Sequence, residues 1–407
     1  NGANNFVTLQ ANHRFLGEGV THLINTDQLG SIAIPASGDV GGLPTFQGGG
    51  GGANMANVTV ADGSTFSGFN INNSVNSAVL ANNTLTGTAN VENTIITGAD
   101  IVCLDQAGTI VADGAIAIRG NRIHWIGTKS EAATLFHAAS TIDGRGRIAM
   151  PGLIDTHVHT AQHFLRGKIA EIARREKIKI PIWKNYYIPF EAMLTPEEIF
   201  LSGLTCYADM ITVGTTCFAE AGGPHPDEMG RAALETGIRG FVTQSTIDQG
   251  AAFPDAMKME TQQAFKSNVD LVERWAGQDR VQAWLALRQI ITCSPKLIQM
   301  MAEAAPDLGT RIHVHLCEGS YEIDYTMEQF GMRPAEYMES IGALGDYLHA
   351  AHSTLASPDE LDLYVERDCS ASHCPFNNYH VGPHPLLQMW HRGIRVGLGT
   401  DGAASWG

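Results

Sequence analysis

Four short segments of this sequence carry side chains able to hold a divalent cation and move protons. The first, Pro151-Gly152-Leu153-Ile154-Asp155-Thr156-His157-Val158-His159, sets two histidines at i and i+2 behind an apolar run. On a strand that spacing points both imidazoles to one face, so both can reach one ion. The second, His313-Val314-His315-Leu316-Cys317-Glu318, offers a nitrogen donor and a carboxylate where a strand gives way to its loop. His313 shares the face of His315 but lies deeper, and reads as a hydrogen-bonded core histidine. The third is His352 in Ala350-Ala351-His352-Ser353; the fourth is Asp401 in Gly397-Leu398-Gly399-Thr400-Asp401-Gly402. Singly these signals are modest, since a lone histidine often packs in a core and Asp-Gly is common turn chemistry. Together, three neutral imidazoles and one carboxylate suit Zn²⁺ or Fe²⁺ with a position left open for water. An ion so held lowers the pKa of water to about 7 and makes hydroxide available at neutral pH.

Side chains more than two hundred positions apart converge only on a scaffold that gathers strand ends. After Pro151 the sequence alternates strand and helix, with apolar strands ending at His159, Glu220, Ser245, Arg288, Glu318, Ser353, Pro375 and Gly402. Thr195-Pro196-Glu197-Glu198 and Ser357-Pro358-Asp359-Glu360 each read as a helix start: N-cap, Pro at N1, Glu at N3. Eight strand–helix units predict a parallel (β/α)8 barrel over 151–407, with the reactive residues at the strand C-terminal ends. Residues 94–150 predict an antiparallel meander, with strands at Thr94–Ile96, Ile101–Leu104, Ala115–Ile118 and His124–Ile126 and turns at Asp105, Asp113-Gly114 and Gly120-Asn121. Residues 1–93 are an Asn/Gly/Thr-rich extension, irregular or β-rich, with strand-like pieces such as Val58–Val60 and Ala78–Leu80. With no helix after the eighth strand, the chain reads as a C-terminally incomplete barrel, and the fragment alone is expected to turn over poorly.

The 407 residues carry a formal net charge of −16. That excludes the basic footprint of a nucleic-acid binder and disfavours an anionic membrane surface. No apolar run reaches the roughly 20 residues needed to span a bilayer, so the expectation is a soluble protein. Seven cysteines without CxxC spacing point to a reducing, cytoplasmic setting rather than a disulfide scaffold.

The four segments, taken in this order with Ser372-His373-Cys374-Pro375-Phe376-Asn377-Asn378, resemble the amidohydrolase superfamily. The branch is that of cytosine deaminase, S-adenosylhomocysteine/methylthioadenosine deaminase and the triazine hydrolases, and the likeness covers residues 94–407. It implies that His157, His159, His315 and Asp401 bind one metal ion, Zn²⁺ or else Fe²⁺. It implies that Glu318 shuttles protons and that His352 hydrogen-bonds the hydrolytic water. It also implies a small β-sandwich beside the barrel, to which residues 94–150 contribute strands. Two-metal relatives bridge their ions with a carbamylated lysine at the end of strand four; here that strand reads Ala283 to Gln289 with no lysine, which favours one ion. The implied reaction is water attack on an electrophilic ring carbon, with a proton passing to Asp401, ring-nitrogen protonation by Glu318, and loss of ammonia or an amine.

The expected partner is a small nitrogen heterocycle, with no nucleic acid and no membrane; a homo-oligomer is left open. Arg288, His373 and Trp183 are the candidate substrate contacts. Trp183 belongs to an aromatic loop with Tyr186 and Tyr187 that either covers a flat ring or packs the barrel mouth. Arg288-Gln289-Ile290-Ile291 stands where nucleoside-processing relatives show His-Ala-Pro-Tyr, which counts against an adenosine-type substrate. The alternatives are a triazine-type dechlorinase or N-dealkylating hydrolase and, from another class, a non-catalytic barrel relative.

Overall fold

The computed structural model describes residues 94–250 and 252–406, with short strand pieces before them. Among those pieces, His22–Thr26 runs antiparallel to Gly30–Ile34 and Val58–Val60 to Ser64–Phe66. The strand expected at Ala78–Leu80 lies outside the described residues. Two compact units are present: Asn1–Leu153 with Tyr207–Thr216 and Glu235–Ile238, and Ile154–Cys206 with Cys217–Leu234 and Arg239–Gly407.

The first unit carries a five-stranded sheet. Strands β1 (Thr94–Val102), β2 (Ile110–Arg119) and β3 (Arg122–Thr128) pair antiparallel, the last two through the expected Gly120-Asn121 turn. The meander ends there. Strands β4 (Ser140–Asp143) and β5 (Ile148–Ala149) both lie parallel to β1, which corrects the all-antiparallel expectation. Helix α1 (Lys129–Leu135) makes that possible by carrying the chain back over the sheet, started by a Thr128/Glu131 capping box. The turn expected at Asp113-Gly114 is instead a bulge inside β2: Gly114 pairs with Ala99 while Val111 pairs with Ile101. Asp113 sits at φ +44°, and a Cβ on Gly114 would lie 2.5 Å from Ile101 Cδ1. The Asp-Gly pair was selected for unusual backbone geometry, and a bulge needs it as a turn does. Alternation buries Ile96, Ile101, Ile116 and Ile118 on one face, and Ile95, Ala115 and Ala117 on the other, where Ala132 of α1 joins them.

The second unit is built on parallel strands in the chain order the sequence predicts. One sheet runs β6 (Leu153–Val158), β7 (Thr215–Glu220), β8 (Arg239–Val242), β9 (Val281–Ala283). The other runs β10 (Leu285–Gln289), β11 (Ile312–Leu316), β12 (Leu348–His352), β13 (Ser370–His373), β14 (Arg395–Leu398). The predicted fourth strand is thus two halves divided at Trp284, whose N–H bonds Val242 O at 3.1 Å. The last strand meets the first: Thr156 Oγ1 donates to Leu398 O at 3.0 Å and Asp401 N–H to His157 O at 2.9 Å. These are α/β sheets of TIM-barrel type. Both helix-start boxes form, Thr195 with Glu198 and Ser357 with Glu360. Along β11, Ile312, Val314 and Leu316 alternate with His313 and His315, so one face is apolar and the opposite one carries imidazoles.

Candidate metal and active site

The strand ends bring His157, His159, His315, His352 and Asp401 together, all of them buried. Ligand atoms of His157, His159 and His315 lie within 4.8 Å of one another, as do those of His157, His352 and Asp401. His159 Nε2 is 3.1 Å from His315 Nε2; Asp401 Oδ1 is 3.1 Å from His157 Nε2 and 3.6 Å from His159 Nε2. Burial first, and then neighbouring positive charge, hold the pKa values of His157, His159 and His315 well below the usual histidine range. Neutral imidazoles are what a cation requires.

The supporting bonds fix which nitrogens face inward. His315 Nδ1 donates to Arg288 O at 2.7 Å, so its Nε2 turns a lone pair toward the cluster. His157 Nδ1 meets His313 Nε2 at 2.8 Å, so the histidine read as core is buried and hydrogen-bonded, and its partner is a site residue. Asn377 Nδ2 donates to Asp401 Oδ2 at 2.7 Å. Gly402 lets the turn come close, because a Cβ there would lie 3.1 Å from His159 N. Asp155 ties the first strand end to the last: its Oδ1 accepts from His157 N at 3.2 Å and Thr400 N at 3.0 Å, and its Oδ2 from Thr400 Oγ1 at 2.6 Å. Three imidazole nitrogens and a carboxylate oxygen, pre-oriented and this close, fit a divalent ion of the zinc or iron class.

Glu318 stands beside this cluster, its Oε1 4.0 Å from His352 Nε2. Its other oxygen accepts from Gln289 Nε2 at 2.9 Å, and its backbone N–H bonds Glu322 Oε2 at 2.9 Å. One oxygen is thereby anchored while the other faces the histidines.

The three candidate substrate contacts have other partners. The Arg288 guanidinium, expected to meet a substrate carboxylate or carbonyl, instead pairs with buried Glu191 at 3.0 Å and with Gly222 O at 3.0 Å. A charge this deep needs a fixed counter-charge, and Glu191 supplies it. Trp183 stacks on Phe253 and tilts against Tyr321, and Tyr186 stacks on Phe190, so the aromatic loop packs as a hydrophobic cluster. His373 Nδ1 meets Asn378 Nδ2 at 3.1 Å. Gln289, Asn378 and Asp155 were not singled out from the sequence, although each sits inside or beside a segment quoted for another residue.

Glu220, at the end of β7, is fully buried. Thr160 donates to its Oε2 through both N–H and Oγ1, and burial pushes its carboxyl up to about 8. A raised acid stabilises the fold fully below its ordinary value of 4.5, and that contribution is lost as pH rises through 8. Glu220→Gln should therefore gain thermal stability over the wild type progressively between those limits. Paired melting curves across the range check this; a constant difference would refute it.

No described helix is long and apolar enough to cross a membrane. Residues 148–407 match the model of the amidohydrolase family. The chain is similar to the 5-methylthioadenosine/S-adenosylhomocysteine deaminase of Nitratidesulfovibrio vulgaris (strain DP4), 33% identical over 319 residues, or 77% of this chain and 69% of that protein. With the enzyme of the same name from Desulfitobacterium hafniense (strain Y51) the alignment spans 72% of this chain and 66% of the relative, so the chain spans about two thirds of the length of the curated relatives it matches. Among solved structures, an adenosine deaminase from Xanthomonas campestris with bound zinc shares the fold at TM-score 0.69 and 24% identity, covering 77% of this chain and 70% of that one. On the match of residues 148–407 to that family model, which covers more than half of the sequence, the chain belongs to the amidohydrolase family.

Proposed function

We propose that this protein is a metal-dependent hydrolase that deaminates a nitrogen heterocycle. His157, His159, His315 and Asp401 would hold one divalent cation, zinc in the first instance and iron(II) in the second. The observation that carries the reading is the convergence of these four donors beside Glu318 and His352. An ion held there supplies an acidified water as nucleophile near neutral pH.

The residues do the rest. Asp401 takes the water proton on Oδ1, the oxygen facing His157 and His352, while Asn377 holds Oδ2. Glu318 Oε1 delivers a proton to the ring nitrogen next to the attacked carbon, steadied through Oε2 by Gln289. Proton transfer of this kind contributes roughly 10²–10⁴-fold. Trp183 and His373 remain the substrate contacts of this reading, and Arg288 becomes a structural cation. The scaffold we infer is a closed (β/α)8 barrel over 151–407 with residues 94–150 in a flanking β-sandwich and 1–93 as an extension. The bonds between β14 and β6 support the closure. A cytoplasmic setting belongs to the same proposal, supported by seven free thiols.

The test is ammonia release by the full-length, metal-reconstituted protein from a panel of methylthioadenosine, S-adenosylhomocysteine, other purines, pyrimidines, pterins and triazines. Release from one of them is the expected result. Chloride or alkylamine release from a triazine alone would replace deamination with the dechlorinase or dealkylase reading. Metal retention without turnover on any compound would leave a non-catalytic relative.

A further inference from the structure

We propose that Asn378 is a positioning residue that selects the Nδ1–H tautomer of His352 and thereby leaves the Nε2 lone pair facing the reacting water. This rests on the role given to His352 above.

Asn378 lies fully buried in the helix Pro375–Val381. Its Nδ2 is 3.1 Å from His352 O and 3.1 Å from His373 Nδ1. A backbone carbonyl only accepts, so the amide nitrogen must be the group facing it, and the amide cannot be turned over. Its Oδ1, 3.0 Å from His352 Nδ1, is then purely an acceptor. The proton of a neutral His352 has to sit on Nδ1, and Nε2 is left as an acceptor. The same amide spends its second N–H on His373 Nδ1, so both its hydrogens and its oxygen are used.

The backbone is held as firmly as the ring. His352 and Ser353 lie at φ +70° and +51°, a left-handed conformation that side chains with a Cβ adopt only when surroundings enforce it. The His352 carbonyl accepts from Asn378 and also from His384 Nε2 at 2.7 Å. In this conformation Nε2 lies 3.8 Å from Asp401 Oδ1 and 4.0 Å from Glu318 Oε1. Both separations exceed a direct hydrogen bond, and a water set to one side of the three atoms can reach them all. With a lone pair on Nε2, His352 accepts from that water and leaves the water's own lone pair free to attack. The opposite tautomer would donate to the water and occupy that lone pair.

The experiment uses ¹⁵N-histidine-labelled full-length protein, metal-free and zinc-loaded, with the His352 signal identified by its loss in His352→Gln. The expected wild-type signature is protonation at Nδ1 in both forms. In Asn378→Leu the signature should move toward Nε2–H, and kcat should fall about 10–100-fold with KM little changed. Asn378→Asp, which keeps an acceptor at the Nδ1 position, should retain the wild-type signature and recover part of the lost turnover. If Asn378→Leu does not fold, Asn378→Asp and the wild-type signature carry the test. A wild-type Nε2–H signature overturns the proposal, as does an unmoved signature in Asn378→Leu or a moved one without loss of kcat. Loss of the wild-type signature in Asn378→Asp does the same. Full turnover by His352→Gln would instead overturn the role of His352 itself.

Discussion

His157→Ala should retain no stoichiometric divalent ion, and its ammonia release should fall by roughly 10⁴-fold, the scale of losing several kcal/mol of charge stabilisation. His157 is the most connected member of the cluster: its Nε2 meets Asp401, its Nδ1 meets His313, and its ring lies about 5 Å from those of His159, His315 and His352. Removing it takes a donor from both tight groups at once. It also leaves His313 Nε2 without its partner in a sealed interior, so the variant should melt earlier than the wild type. Elemental analysis after dialysis and melting curves with and without zinc are the measurements. Zinc should raise the wild-type midpoint by mass action and leave that of the variant unmoved. A variant that keeps the ion and most of its turnover would end the metal reading.

Glu318→Gln should lose about 10²–10⁴-fold in kcat while keeping the ion. The amide is close in size to the carboxylate and can still accept from Gln289, so the local geometry has a replacement partner. What it cannot do is give a proton to the substrate ring or recover one. Unchanged metal content and an unchanged melting midpoint, beside the collapsed kcat, would separate lost proton transfer from a damaged site. A comparable rise in KM with kcat preserved would make Glu318 a binding group instead.

These residues were legible in the sequence because each carries its own local mark. His157 and His159 follow an apolar strand at a two-residue spacing, Glu318 follows His315 across a strand end, and Asp401 is flanked by turn glycines. The eight strands were legible for a related reason: buried parallel strands read as short apolar runs. Arg288 shows where that logic stops. Its position on strand four was clear, but its partner, Glu191, lies 97 residues away on another element, and no local pattern encodes the pairing. Asn378 was equally hidden, since an asparagine in the middle of a short helix carries no mark of its own until its amide is seen hydrogen-bonded to both the ring and the carbonyl of His352. The parallel placement of β4 and β5 depends on a crossover by α1, and short apolar strands do not announce their direction.

The Asp155 clasp and the neighbouring His157–Asp401 contact join residues 245 and 244 positions apart. Contacts this remote form late, because the intervening chain must be ordered before they can repay its entropy. At synthesis speeds of about 5–20 residues per second, roughly 10–50 s separate the emergence of the first histidine pair from that of the aspartate that completes it. A nascent chain therefore displays an unfinished imidazole pair throughout that interval, and the cluster is completed only once Asp401 has emerged.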